Sequence, residues 1–315
     1  MSNLNLKRLR QFKLISALLF SLLLAVLIYL AIRVLNSGSN SAIENNEAIN
    51  LRNFIYSKGN SFGFTDKERK VVKPKGVFRI AVLGDSFIWG DGLPYEKVWS
   101  HKLEAKLLNT YDSIEVLHWG KNGWSTLDEL NFFKDYGKDF NIDLLIIGWV
   151  DNDPDMGKIQ QIYPGKADKE FPLLYKICRP LANVMLRYKK DNEYRKWINQ
   201  IYSVENLNDY QNVLNDFHAC TTQNNVSVLY VMTPGSFKSR VKEHFEIIKP
   251  MIMKANFSCL DLYASAEKKF EHYSNAELKA NTANGHPGEL MTEEFAAEVK
   301  SYLEQNHYLQ NIPKR

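Results

Sequence analysis

Of 315 residues, only three are cysteine, ten proline and 16 glycine. Cys178, Cys220 and Cys259 cannot all pair within one chain, and none stands in a C-x-x-C pair. A disulfide-dense scaffold is therefore excluded, and a zinc knuckle or redox dithiol has no support. One disulfide, Cys220 with Cys259, is compatible with an oxidising exterior; the simpler expectation is that all three pack as small hydrophobes. So little glycine and proline also excludes a collagen-like or low-complexity chain. An excess of one charge is missing from most of the sequence. The formal charge is +4, but Lys7, Arg8, Arg10, Lys13 and Arg33 stand in the first 35 residues without an acid, leaving 35 of the 40 basic residues against all 36 acidic ones. A near-neutral bulk lacks the electrostatic footprint of phosphate-backbone binding, so no nucleic-acid partner is expected.

What is present is one long apolar run. Leu14 to Ile32 is uncharged over 19 residues, enough as a helix to cross roughly 30 Å of hydrocarbon. Four of the five flanking positive charges precede it, which places the N-terminus in the cytoplasm. The expected organisation is a basic tail over 1–13, a single transmembrane helix over 14–35, a Ser- and Asn-rich tether over 36–55, and a periplasmic or extracellular domain over 56–315. A cleaved signal peptide is the competing reading. Its apolar core is usually only about 7–15 residues, and the nearest weak cleavage match, Asn40 and Ala42, lies well beyond it.

Beyond the tether, strand-like and helix-like patterns alternate. Phe78–Leu83, Ile114–Trp119, Leu144–Val150 and Val226–Met232 are short branched apolar runs, and Ser258–Tyr263 is a weaker one. Helical spacing marks 95–111, 125–138, 206–222, 240–254 and 291–306. This order predicts an α/β domain in which helices cover both faces of a parallel sheet. In such sheets ligands bind at the carboxyl ends of the strands, so chemistry is sought just after each one.

The first of these loops reads Gly84-Asp85-Ser86-Phe87-Ile88-Trp89-Gly90-Asp91-Gly92. Glycines around a small hydroxyl residue permit a tight strand-to-helix turn that exposes Ser86 as a candidate nucleophile. The segment is neither a G-x-S-x-G elbow nor a phosphate-binding loop, since it lacks the second motif's lysine. The second loop carries Gly123, whose backbone N–H can be offered to a developing oxyanion, and the third carries Asn152, whose side-chain N–H can do the same, followed by Asp153. Asn284-Gly285-His286-Pro287-Gly288 stands in a loop before the last helix and supplies a candidate base, His286.

Taken together, Gly84-Asp85-Ser86, Gly123, Asn152-Asp153 and His286-Pro287, in that order, resemble the blocks of the SGNH hydrolases, the GDSL esterase and lipase family. The resemblance covers roughly residues 60–310, and Phe78 to Ser86 is similar to membrane-anchored bacterial members. It implies a three-layer α/β/α domain with a central parallel sheet, the flavodoxin-like SGNH hydrolase fold. It also implies Ser86 as nucleophile, His286 as general base, and Ser86 N–H, Gly123 N–H and Asn152 Nδ2 as the oxyanion hole. No metal or organic cofactor is implied.

At one place the likeness fails. The family's triad Asp lies two or three residues before the histidine, where this chain has Asn284 and Ala283. Asn284 can still accept an imidazole Nδ1–H and fix the tautomer, but it carries no charge for the imidazolium. Asp85, Asp151, Asp153 or a more distant carboxylate are the alternatives. The expected activity is that of a membrane-anchored esterase working through an acyl-serine on an ester, such as an O-acetyl group, of an envelope glycan or lipid. The alternatives are an O-acyltransferase on an envelope polysaccharide and a non-catalytic glycan-binding or assembly module. Residues 153–205, rich in aromatic and charged side chains, form an insertion: either a lid or acceptor surface beside the site, or a helical pair covering an edge.

Overall fold

The structure is a computed structural model that describes residues 59–281 and 284–315 and, before them, Ser16, Phe20, Ser21, Leu23, Leu24 and Leu27, all helical. The expected membrane segment at 14–35 otherwise lies outside the described residues, as do the tail and tether. Among the described residues no helix is long and apolar enough to cross a membrane. The chain forms two compact units, residues 44–160 with 197–315 and residues 1–43 with 161–196.

The larger unit is built on five parallel strands, β1 (Phe78–Gly84), β2 (Ile114–Gly120), β3 (Leu144–Trp149), β4 (Ser227–Met232) and β5 (Ser258–Asp261), in the order β2-β1-β3-β4-β5. Nearly every residue of β1 to β3 is buried, as strands covered on both faces require, and this is why they read in sequence as continuous apolar runs. Alternation then divides them between two cores. Ala81, Leu83, Leu145 and Ile147 point to one face, where they meet α3 (Thr126–Asp135), α7 (Val204–Gln223) and α8 (Ser239–Lys254) through Phe133, Phe217 and Ile248. Ile80, Val82, Leu144 and Ile146 point to the other, against α2 (Trp99–Leu108), α9 (Tyr263–Lys269) and α10 (Glu289–Gln305) through Trp99, Ala266 and Phe295. These are the three layers that the alternating pattern predicts.

Three features depart from the sequence reading. A four-residue helix, α1 (Ser86–Trp89), follows β1. The run Ser258–Tyr263 stops being strand at Asp261, whose Oδ1 accepts the Tyr263 N–H at 3.0 Å and starts α9. His286 lies in a strand rather than a loop: β6 (Lys279–Asn281) and β7 (Asn284–Pro287) form an antiparallel pair apart from the main sheet. All three cysteines are free, so the Cys220–Cys259 disulfide does not form. Both thiols pack against the first core, and burial pushes Cys259 up to about 12.

The smaller unit holds most of the predicted insertion as helices, α4 (Ala167–Glu170), α5 (Pro172–Ile177) and the greater part of α6 (Arg179–Ile201). Within it Glu170 joins Lys189 at 2.6 Å and accepts the Gly165 N–H at 2.6 Å.

Next to β2 the larger unit buries a charged network. Arg69 binds Asp66 through two guanidinium nitrogens, each at 2.9 Å, and reaches Glu104 at 3.1 Å. Glu104 accepts from His118 Nε2 at 3.2 Å, and the His118 ring stacks on His101 with centroids 3.6 Å apart. Burial works against the Glu104 charge, but the bond from His118 and the charges of His118, Arg69 and Lys67 outweigh it and hold the carboxyl well below its usual range. Burial and the neighbouring His118 charge push His101 down, keeping it neutral.

Candidate active site

Three neighbouring strands carry a glycine at one level near their carboxyl ends, Gly84 standing in register with Gly120 on one side and Gly148 on the other. A Cβ on Gly120 would lie 2.3 Å from Trp89 N and 2.4 Å from the Ile88 carbonyl carbon. Only glycine lets α1 sit this close to the sheet's carboxyl edge. Ser86, the first residue of α1, is thereby held at the end of β1, where the strand order reverses.

Against it comes His286 from β7. Its Nε2 lies 2.7 Å from Ser86 Oγ across 200 residues of sequence. The Gly288 N–H, bonded to Leu278 O at 2.7 Å, anchors the end of this hairpin, and the Phe87 ring meets the imidazole edge to face at 5.3 Å. A nucleophilic hydroxyl within hydrogen-bond reach of an imidazole is the arrangement that general-base activation requires.

Asp85 caps α1. Its carboxylate accepts the Phe87 N–H at 2.8 Å and the Ser86 hydroxyl at 3.0 Å, and the Asn152 amide also binds it. Burial pushes Asp85 up to about 6 against these hydrogen bonds. The Ser86 hydroxyl thus has one proton and two acceptors within reach, the imidazole being nearer. Behind Asp85 stand two more fully buried carboxyls. Glu129 of α3 is pushed well above the usual range by burial and by Asp85, and Asp153 by burial, Glu129 and Asp85. Both are therefore shifted toward their neutral, protonated forms.

Gly123 occupies the turn after β2 with φ 77°, a left-handed backbone that explains the glycine. That turn is tied to the end of β1 by the Lys121 N–H bonded to Gly84 O at 3.2 Å. Ser86, Gly123, Asn152 and His286 therefore all lie at the carboxyl edge of the sheet. Asn284 belongs to β7, but its side chain lies outside the described residues. Of the carboxylates weighed for the missing acid, Asp151 stands 3.5 Å from His244 Nδ1 and Asp153 accepts the Val150 N–H. The carboxylate beside the base is one the sequence reading passed over: Asp91 Oδ2 lies 4.0 Å from His286 Nδ1. The signal was present in the quoted Gly84–Gly92 loop, five residues after the nucleophile.

Trp89 and Trp149 are buried in the core and Trp124 only partly. Trp124 lines a recess of about 400 Å³ with Phe62, Phe64, Phe132, Tyr136 and Lys121. The space beside Ser86, Asp91 and His286 is far smaller, about 10 Å³.

No family model matches the sequence, and no curated protein matches it. Solved structures similar to the chain include a lipase/acylhydrolase from Enterococcus faecalis, 12% identical with a TM-score of 0.45 over 76% of this chain and 99% of that one. Another is the psychrotrophic esterase EstA from a Pseudoalteromonas species, 14% identical with a TM-score of 0.43 over 74% and 99%. A third is an acetylxylan esterase from Geobacillus stearothermophilus, 14% identical with a TM-score of 0.46 over 72% and 93%. At TM-scores below 0.5, the assignment of chemistry rests on this chain's own side chains.

Proposed function

We propose that the chain is a serine esterase of the SGNH hydrolase type, acting through an acyl-serine intermediate. The observation that carries this reading is the 2.7 Å contact between Ser86 Oγ and His286 Nε2 at the carboxyl edge of the sheet. His286 Nε2 takes the hydroxyl proton as Ser86 Oγ attacks the ester carbonyl. The resulting oxyanion is held by the Ser86 and Gly123 N–H groups and by Asn152 Nδ2, the Ser86 N–H and the Asn152 amide both leaving Asp85 to do so. His286 then protonates the departing alcohol, and water, deprotonated by the same imidazole, releases the acid. A sugar hydroxyl in place of that water makes the same machinery an O-acyltransferase. The contact also speaks against a purely binding module, which has no need to hold base and hydroxyl in register.

A carbohydrate ester is the substrate class favoured by the aromatic recess beside the turn after β2, because Trp124 and Tyr136 offer faces for sugar rings while Lys121 offers a polar edge. The uncharged run at 14–32 and its basic flank support a membrane-anchored enzyme whose domain faces the cell envelope. The test uses p-nitrophenyl acetate and a fluorophosphonate label on the purified full chain. Label on Ser86, with turnover abolished in Ser86→Ala and His286→Ala, is the expected result. Turnover that survives Ser86→Ala in folded protein refutes the reading.

A further inference from the structure

We infer that Asp91 is the positioning acid of this site, supplying through His286 Nδ1 the negative charge that the position of Asn284 lacks. The inference rests on the serine-esterase reading. If Ser86 gives its proton to His286 Nε2, the neutral imidazole carries its own hydrogen on Nδ1, and the imidazolium formed during attack is charged on that side as well. Asp91 Oδ2 stands 4.0 Å from this nitrogen, and its side chain is nine-tenths buried. Of the other carboxylates near the ring, Asp85 lies on the Ser86 side, and Glu289 is drawn to the surface by Lys97 and by Lys102 at 3.8 Å.

The backbone shows why Asp91 is there. Gly90, at φ 79°, closes α1 in the left-handed region, and its N–H and that of Asp91 both donate to Ser86 O, at 2.9 and 3.1 Å. The chain therefore doubles back on the nucleophile, so Asp91 is hung from the carbonyl of the residue whose base it faces. Gly90 cannot be replaced without cost, since a Cβ there would lie 2.2 Å from Val98 Cγ2. Asp91 and His286 line one small space with Ser86, and a closure of roughly 1 Å turns 4.0 Å into a hydrogen bond. Catalytic hydrogen bonds are often long before substrate is bound and tighten in the transition state.

The experiment compares the purified full chain with Asp91→Asn, Asn284→Ala, Ser86→Ala and the double variant Asp91→Asn/Asn284→Asp, using p-nitrophenyl acetate across pH. Asp91→Asn is expected to lower kcat about 100-fold with KM nearly unchanged, less than the full loss known for a triad acid in direct contact. It should also move the acid limb of kcat/KM to lower pH by on the order of one unit, because removing an anion makes the imidazole easier to deprotonate. Returning a carboxylate two residues before the histidine should recover at least about tenfold of the lost kcat. That recovery separates a missing charge from a damaged loop. Wild-type kcat and pH profile in Asp91→Asn, while Ser86→Ala is inactive, overturn the role of Asp91 alone. So does a loss confined to Asn284→Ala, or an Asp91→Asn deficit that the second-site carboxylate leaves untouched. Turnover surviving Ser86→Ala overturns the esterase reading and the role of Asp91 with it.

Discussion

Replacing Glu129 by glutamine should stabilise the protein increasingly as pH rises. Glu129 is fully buried on α3, and among the described residues neither carboxyl oxygen has a hydrogen-bond partner. Burial first, and then the Asp85 and Asp128 charges, push its pKa well above the ordinary value of 4.5. The folded state thus keeps a proton that the unfolded chain releases near 4.5. The contribution to stability is whole below that pH and falls by about 1.4 kcal/mol for each unit above it, until the folded group ionises. Glutamine has the shape of the protonated acid and cannot ionise, so the slope disappears with it. Urea unfolding at pH 5, 6, 7 and 8 measures the difference, with an unchanged m-value required for the comparison. The two proteins should diverge by up to about 1.4 kcal/mol per pH unit, the variant being the more stable at pH 8. Asp153 slopes the same way but is coupled to Glu129, so the same comparison in an Asp153→Asn background isolates the Glu129 share. Parallel stability curves over pH 5–8 would refute the protonated-carboxyl reasoning.

On the acid side, Glu104 is depressed below 4.5 and His101 below 6.5, so both withdraw stability as pH falls. Glu104→Gln should cost about 3 kcal/mol at pH 7 by leaving Arg69 and His118 short of a charge, and should flatten the loss between pH 6 and 3 in the same urea assay. Gly120→Ala forces a methyl group against the α1 backbone, whereas Gly148→Ala meets first the Ile88 Cδ1 at 2.8 Å, a side-chain end that can turn away. Esterase kcat should therefore fall far more in the first than in the second, by about 10²-fold for a displacement near 1 Å; equal losses would show that α1 does not depend on this seat.

The sheet was legible because its first four strands run six or seven residues and are largely buried, long enough to stand out from the helices between them, whereas the four-residue β5 read as a weaker run. The helices that cover it carry one apolar face each, and periodicity finds such faces. Elements of three or four residues offer no period. This is why α1 and the hairpin of β6 and β7 escaped notice, although Ser86 and His286 were singled out on them. Asp91 was missed for a different reason. The family pattern points along the chain, to the residues just before His286, with Asp85, Asp151, Asp153 or a more distant carboxylate as the alternatives, whereas the structure brings Asp91 across from the nucleophile's loop. His118, on the strand before Gly123, belongs to the buried Glu104 network; no spacing rule announces a contact between a strand and the helix preceding it.

The hairpin that delivers the imidazole has a bearing on how the molecule comes into being. All five strands of the main sheet, with the hydroxyl seated at its edge, are complete by Asp261, and His286 follows only after α9 and β6. In the order of synthesis, the five strands and the serine therefore precede the imidazole. On the serine-esterase reading, reactivity toward an ester is a clock that starts only when this hairpin has docked.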